Sequence, residues 1–62
     1  MTAIKDIRTK RNLTQGQLAD KIGQTQANVS RYENGERKLD LETAAKIAKA
    51  LGCKVDDLVR EQ

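Results

Sequence analysis

Four residues near the middle of the chain, Gln26, Ala27, Asn28 and Arg31, bring amide, methyl and guanidinium groups close together. An amide pairs bidentately with adenine, a guanidinium does so with guanine, and a methyl group packs on thymine. On a helix Ala27 and Arg31 share one side, Asn28 lies at its margin, and Gln26 can extend past the first turn. The set predicts contacts with base edges. Ordinary exposed helix residues are the alternative, and the flanking residues decide between them.

The composition argues against catalytic chemistry. The chain has no histidine and one cysteine, Cys53, whereas a zinc site needs several such ligands and a nucleophile needs a base to activate it. We therefore expect no enzyme activity, no metal, no cofactor and no small-molecule ligand. For Cys53, a small hydrophobe packed after a helix end is favoured over a reactive thiol, because Lys54 is weak grounds for activation.

Two helices joined by a tight turn must position the four side chains. Helix 2 is predicted from Gln15 to Ile22 and helix 3 from Gln26 to Glu33. Gly23 can take the positive φ that ends a helix, and Thr25 can cap the next one. The apolar stripes that must face each other are Leu18, Ala19 and Ile22 in helix 2, and Val29 and Tyr32 in helix 3.

Three further helices complete an all-α, five-helix prediction, and residues 1–62 are expected to form one domain. Helix 1 is predicted from Thr2 to Arg11, and helix 5 from Val55 to Arg60. Thr14 and Gln17 have the spacing of a capping box at the start of helix 2. Helix 4 begins at Asp40 or Leu41, and its predicted apolar face consists of Leu41, Ala44, Ala45, Ile47, Ala48 and Leu51.

Charge is unevenly distributed along the chain. Residues 1–38 carry eight basic and four acidic side chains, whereas residues 39–62 carry four basic and five acidic ones. The basic half includes the predicted helix pair, as suits a protein that approaches a polyanion with one face. A solvated surface is the alternative. No stretch approaches the roughly 20 apolar residues of a membrane helix, and no signal peptide is evident, so we expect a cytoplasmic protein without membrane contact.

Three runs of sequence together suggest a known family. They are LTQGQLADKIG from Leu13 to Gly23, TQANVSRYENG from Thr25 to Gly35, and IAKALGCKVDDL from Ile47 to Leu58. This combination resembles the lambdoid phage repressor and Cro family, also called the Xre-type helix-turn-helix, over nearly the whole chain. Gln24 departs from the family pattern, which usually has an apolar turn residue there; a glutamine is tolerated if the turn is more exposed.

The resemblance implies a regulator of transcription, with a repressor favoured, that binds double-stranded DNA sequence-specifically. Gln26, Ala27, Asn28 and Arg31 match its base-reading positions. Gln15 matches a glutamine that holds a phosphate at a helix N-terminus, where an anion is also favoured physically. Further predicted contacts with the DNA backbone are Asn34, Arg37, Lys38, Lys10 and Arg11. A solvated loop is the alternative for the pair that follows helix 3, Arg37 and Lys38.

Two more pairings follow from the resemblance. Arg8 and Glu33 match positions that form a partly buried structural ion pair. Val55, Leu58 and Val59 are the apolar residues best placed to form a weak homodimer, which would bind a palindromic operator. Closure of the monomer core is an equally weighted alternative for these three residues.

One other class of function stays open at this point. An antitoxin uses the same fold to bind both an operator and a protein toxin, although nothing in the chain encodes a toxin-binding tail. Co-purification with a neighbouring gene product would distinguish this class from a simple regulator. The length of 62 residues fits either a small regulator or the N-terminal piece of a longer one.

Overall fold

Five α-helices make up most of residues 3–58, the part of the chain that the computed structural model describes. In chain order they are α1 (Ile4–Lys10), α2 (Gln15–Ile22), α3 (Gln26–Asn34), α4 (Leu41–Leu51) and α5 (Val55–Leu58). This described part contains no strand. The Cα radius of gyration is 10.1 Å, as expected of a compact chain of this size. The predicted all-α fold is confirmed.

Local hydrogen bonds fix the ends of α2 and the start of α3. The Thr14 hydroxyl oxygen accepts from the Gln17 N–H at 3.1 Å, and Gln17 Oε1 accepts from the Thr14 N–H at 2.8 Å. The Thr25 hydroxyl oxygen accepts from the Asn28 N–H at 3.2 Å. Gly23 ends α2 with a φ of 69°. The predicted capping box and caps are present, because their partners are neighbours along the chain.

The first helix is shorter than predicted. It spans Ile4–Lys10, and Thr2, the predicted first residue, lies outside the described residues. Arg11 is its C-cap, and the backbone N–H of Arg11 donates to the carbonyls of Ile7 and Arg8. Asn12 follows with a φ of 58°. Asn tolerates this left-handed conformation better than most residues, so the chain turns sharply toward α2.

The core lies between α4 and the helices that pack on it. α4 contacts α1, α2 and α5, while α3 packs against α2 and α1. Burial of these apolar side chains is the main favourable term that holds the helices together. The buried cluster consists of Ile4, Leu18, Ala19, Ile22, Val29, Tyr32, Ile47, Ala48, Leu51 and Leu58.

The apolar face of α4 is narrower than predicted. Leu41 is 76% exposed and Ala45 is also exposed. Leu41 is the first residue of α4, about one turn before the buried Ala44, whereas Ala45 is rotated by about 100° from Ala44 around the helix. Thr43, which was not predicted to be inside, is buried. Two apolar residues of the predicted face therefore contribute little to the core.

The last described helix, α5, contacts α4 and is hydrogen-bonded to the segment before α1. α5 spans Val55–Leu58, and Val59 and Arg60 of the predicted helix lie outside the described residues. The Leu58 side chain is fully buried. The backbone N–H of Ala3 donates to the Leu58 carbonyl at 2.8 Å, so the segment before α1 is hydrogen-bonded to the end of α5.

Candidate nucleic-acid interface

A three-residue turn connects α2 to α3 and fixes their crossing. The backbone N–H groups of Gly23 and Gln24 both donate to the Ala19 carbonyl. Ala19 is 3% exposed, and Val29 of α3 is fully buried in the same cluster. The closed turn and the buried contacts hold α3 against α2, so the outward side of α3 is presented from a rigid base.

The outward side of α3 carries the four side chains that the sequence singled out. Gln26, Ala27 and Arg31 are exposed, and Asn28 is half-buried at the margin of this face. They occupy the first six residues of the helix. The structure thus brings the four residues together on one accessible surface. In helix-turn-helix proteins the N-terminal part of the second helix is the part that reaches base edges.

A chain of side-chain hydrogen bonds runs along this surface. Asn28 Nδ2 donates to Gln24 Oε1 at 2.8 Å, and Arg31 Nη1 donates to Asn28 Oδ1 at 3.4 Å. Sequence reasoning missed Gln24, which it treated only as a departure in the turn. The signal that could have found it is its place directly before the Thr25 cap, next to the first turn of α3.

Arg8 and Glu33 form an ion pair behind the outward face. Arg8 Nε donates to Glu33 Oε2 at 2.6 Å, and Arg8 Nη2 donates to Glu33 Oε1 at 3.2 Å. The two side chains are only 9% and 2% exposed. Arg8 Nη1 also donates to the Leu13 carbonyl at 2.7 Å. This bidentate pair joins α1 to α3 and leaves the Glu33 carboxylate occupied.

Gln15 lies at the start of α2 and takes part in the same network. Its Nε2 donates to Glu33 Oε1 at 3.0 Å, a contact that sequence reasoning did not anticipate. Gln26 also lies beside this helix start: its Oε1 is 3.8 Å from the position that a Cβ would take at Gly16. The side-chain nitrogen of Gln15 therefore supports α3. Because the Gln17 N–H donates to the Thr14 hydroxyl, the first-turn N–H groups without an intrahelical partner are those of Gln15 and Gly16.

The residues predicted to contact phosphates after α3 are on the surface. Asn34, Arg37 and Lys38 are exposed. The Arg37 guanidinium carbon lies 5.9 Å from the centre of the Tyr32 ring, and the Arg37 N–H donates to the Arg31 carbonyl at 3.3 Å. These contacts hold the loop against the end of α3, while its cationic groups stay accessible.

Lys10 and Arg11 lie elsewhere. Both border a shallow depression together with Cys53 and Asp57 at the start of α5. Arg11 Nε donates to the Leu51 carbonyl at 2.8 Å, where it satisfies one of the last carbonyls of α4. This hydrogen bond uses only Nε, and Arg11 is exposed, so its contact with the DNA backbone stays a prediction.

Of the three residues predicted to form a dimer contact, the structure describes Val55 and Leu58. Leu58 is 0% exposed and belongs to the monomer core, so its side chain is not available to a partner. Val55 is half-buried against the same cluster. Val59 lies outside the described residues. The alternative of core closure is correct for Leu58, because α5 packs on α4 through this residue.

Cys53 is half-buried and packs against the core cluster. Burial, reinforced by the Asp57 carboxylate, raises the pKa of its thiol, which favours the unreactive protonated form. Within residues 3–58, no group of acidic or Cys side chains is arranged to hold a metal ion. Among these same residues, no helix has the length and apolarity needed to cross a membrane.

Comparison with known families agrees with this arrangement. A family model described as helix-turn-helix matches residues 4–58, which include the described helices and the turn between α2 and α3. The chain belongs to the helix-turn-helix family. The membership predicted from the three sequence runs is confirmed. Proteins of this family are DNA-binding regulators of transcription rather than enzymes, and the prediction that the chain is not an enzyme is confirmed as well.

Curated relatives include proteins of two archaea and a phage repressor of Vibrio cholerae. An uncharacterized HTH-type transcriptional regulator of Archaeoglobus fulgidus is 35% identical over 57 residues, which are 92% of this chain and 80% of that protein. Another from Methanocaldococcus jannaschii is 38% identical over 55 residues, or 89% of this chain and 83% of that one. The cryptic phage CTXphi transcriptional repressor RstR of Vibrio cholerae is 36% identical over 58 residues, which cover 94% of this chain. The chain spans about half, 52%, of that phage repressor.

Proposed function

We propose that this protein represses transcription by binding a palindromic operator in duplex DNA as a homodimer. In this proposal α3 lies in the major groove, and Gln26, Ala27, Asn28 and Arg31 contact base edges. Residues 1–62 act as one DNA-binding domain. Because the target is chromosomal or phage DNA, the proposed site of action is the cytoplasm.

One observation carries the base-reading part of the proposal. Ala27 and Arg31 face outward on α3, with Asn28 at the margin and Gln26 exposed in the first turn. The opposite side is fixed by Val29 in the core and by the ion pair of Glu33. A rigid base restricts where the polar groups lie, so fewer geometries must be given up on binding. Their chemical types fit the pattern of donors, acceptors and methyl groups in the major groove.

The phosphate contacts of the proposal lie on both sides of α3. The backbone N–H groups of Gln15 and Gly16 would donate to one phosphate at the N-terminus of α2. Asn34, Arg37 and Lys38, all exposed, would contact the backbone farther along the duplex. Lys10 and Arg11 are retained as weaker candidates, since both are also exposed. Such contacts orient the protein and make its affinity depend on salt without reading sequence.

The homodimer part follows from the size of the unit. One helix-turn-helix covers a half-site, and two-fold pairing sets the recognition helices roughly 34 Å apart along the duplex. Val55, half-buried on α5, is the described residue that we propose for an apolar contact between the copies. One such contact is small, so we expect a weak dimer that duplex DNA stabilises by mass action.

The repressor relative supports the direction of regulation. RstR, 36% identical to this chain, is named a transcriptional repressor. An operator-bound dimer would repress by occupying promoter DNA. A reporter gene under the selected operator should be expressed less when the protein is present, and higher expression would contradict repression without contradicting DNA binding.

Selection from a library of randomised duplexes at one fixed salt concentration tests the proposal directly. We expect enrichment of a consensus with two inverted half-sites centred about 10 base pairs apart. A consensus with one half-site would contradict the dimer, and the absence of any enriched sequence would contradict base reading. The variant Lys46→Ala provides a control for the loss of one positive charge, because Lys46 lies on α4 rather than on α3 and its side chain is 52% exposed.

A further inference from the structure

Gln24 lies in the turn before α3, outside the set of proposed base-reading residues. It is half-buried, and its backbone N–H donates to the Ala19 carbonyl at 2.9 Å. Its side-chain Oε1 accepts from Asn28 Nδ2 at 2.8 Å. The backbone of Gln24 is thus fixed by α2, while its side chain is hydrogen-bonded to α3.

This contact defines which way the Asn28 amide faces. The terminal torsion of an Asn side chain is broad and roughly two-fold, so a free amide can exchange the positions of its oxygen and nitrogen. With Nδ2 held by Gln24, Asn28 Oδ1 faces Arg31 Nη1, which is 3.4 Å away. One hydrogen of Nδ2 and one lone pair of Oδ1 remain for another partner.

We propose that Gln24 is a positioning residue that determines the base preference of α3 without contacting a base. This inference rests on the proposed function, in which Asn28 and Arg31 read base edges. Asn28 presents a donor and an acceptor in a fixed order because Gln24 accepts from its nitrogen. The order matters, since adenine offers an acceptor and a donor at distinct positions of the major groove.

The proposal separates the effect of Gln24 on specificity from any effect on general affinity. Loss of the acceptor on Gln24 frees the Asn28 amide to rotate and loosens Arg31, but leaves the phosphate contacts unchanged. A neutral hydrogen bond contributes on the order of a few-fold to ten-fold in an equilibrium constant. We therefore expect the ratio of operator affinity to random-duplex affinity to fall by about 3- to 10-fold in a variant that lacks this acceptor.

The test compares Gln24→Met, which keeps the length but removes the acceptor, with Gln24→Glu, which keeps an acceptor. Gln24→Met should lower the operator-to-random ratio. Gln24→Glu should weaken binding to both duplexes, because it adds negative charge, but should retain the ratio. In an Asn28→Ala background, Gln24→Met should have no further effect on the ratio. An equal loss with and without Asn28, or an unchanged ratio in Gln24→Met, would overturn the proposal.

A measurement on the free protein separates this proposal from the proposed function. In NMR spectra the side-chain amide of Asn28 should shift in Gln24→Met far more than that of Asn34, while the denaturation midpoint stays near that of the wild type. If the wild type shows no preference among duplexes, base reading is rejected and this inference with it. If the wild type discriminates but the Asn28 amide signal is unmoved by Gln24→Met, only the role of Gln24 is rejected.

Discussion

The inner and outer sides of α3 are held by different kinds of contact. On the inner side, Val29 and Tyr32 are buried, and Glu33 accepts hydrogen bonds from Arg8 and Gln15. These three hydrogen bonds to Glu33 join α3 to α1 and α2, across 25 and 18 residues of sequence. The outer side has only side-chain contacts within the turn and the helix, including two hydrogen bonds of 3.4 Å.

This difference assigns stability and specificity to separate residues. The inner contacts exclude water and cross between helices, so their loss lowers the free energy of unfolding. The outer contacts are exposed or half-buried, and surface substitutions usually change stability by about 0.5 kcal/mol or less. Substitutions on the inner side should therefore change stability, and those on the outer side should change DNA binding. Four experiments test this division.

The largest effect is expected on the inner side. Arg8→Ala leaves the nearly buried Glu33 carboxylate without its cationic partner, and breaking a buried pair costs roughly 3 to 5 kcal/mol. Urea denaturation should show this loss, which is a large share of the stability of so small a domain. Arg31→Ala, which removes the same charge from the outer side, is the matched control. Superimposable unfolding curves for Arg8→Ala and the wild type would contradict the structural role.

The second effect is expected on the outer side and concerns binding. Arg31→Ala should weaken binding to the selected operator by about 1 to 3 kcal/mol and leave random-duplex binding nearly unchanged. Its thermal midpoint should remain close to that of the wild type. Titrations of both duplexes at one salt concentration measure the difference, with Lys46→Ala as the control for charge. Equal losses on the two duplexes would reassign Arg31 to the phosphate contacts.

A third, smaller effect is expected at Thr25, the N-cap of α3. Thr25→Ala removes the hydroxyl that accepts from the Asn28 N–H, and loss of such a cap costs about 1 kcal/mol. Thr25→Ser keeps the hydroxyl and should recover most of the stability. Chemical denaturation of the two variants distinguishes a capping effect from a packing effect, because Ser lacks the methyl group but retains the cap.

The smallest effect is expected at Asp40, which caps α4, the helix that supports the inner side. Hydrogen bonds from the Thr43 hydroxyl and N–H lower the pKa of Asp40 from its ordinary value of 3.8. Since the pKa is lower in the folded state, this stabilisation is present above the ordinary value and is lost as the pH falls through the lowered one. Asp40→Asn keeps the cap oxygen but not the charge. Its thermal midpoint should lie slightly below that of the wild type at neutral pH, and the gap should close in acid.

The features that could be predicted from the sequence are those set by near neighbours. The capping box of Thr14 and Gln17, the Thr25 cap and the left-handed Gly23 depend on groups within a few residues of one another. For this reason the predicted bounds of α2 agree with the structure, and α3 ends only one residue later, at Asn34. The outward position of Ala27 and Arg31, with Asn28 at the margin, also follows from helical periodicity.

Other features depend on contacts between distant parts of the chain. The burial of Leu58 depends on how α5 packs on α4, and the hydrogen bond from Arg11 to the Leu51 carbonyl spans 40 residues. Leu41 has the residue type of a core position but lies at the exposed first turn of α4. A pattern of residue types gives the direction of a side chain around its own helix, but not which other helix covers it.

The hydrogen bond between Gln15 and Glu33 affects which kind of duplex, DNA or RNA, the protein can bind. It fixes the distance from the first turn of α2 to α3, and under the proposed function it fixes the offset between a bound phosphate and the bases that are read. B-form DNA admits a helix into its major groove, whereas the major groove of an A-form RNA duplex is too narrow for side chains to read. A double-stranded RNA of the operator sequence would therefore be unable to satisfy both sets of contacts at once.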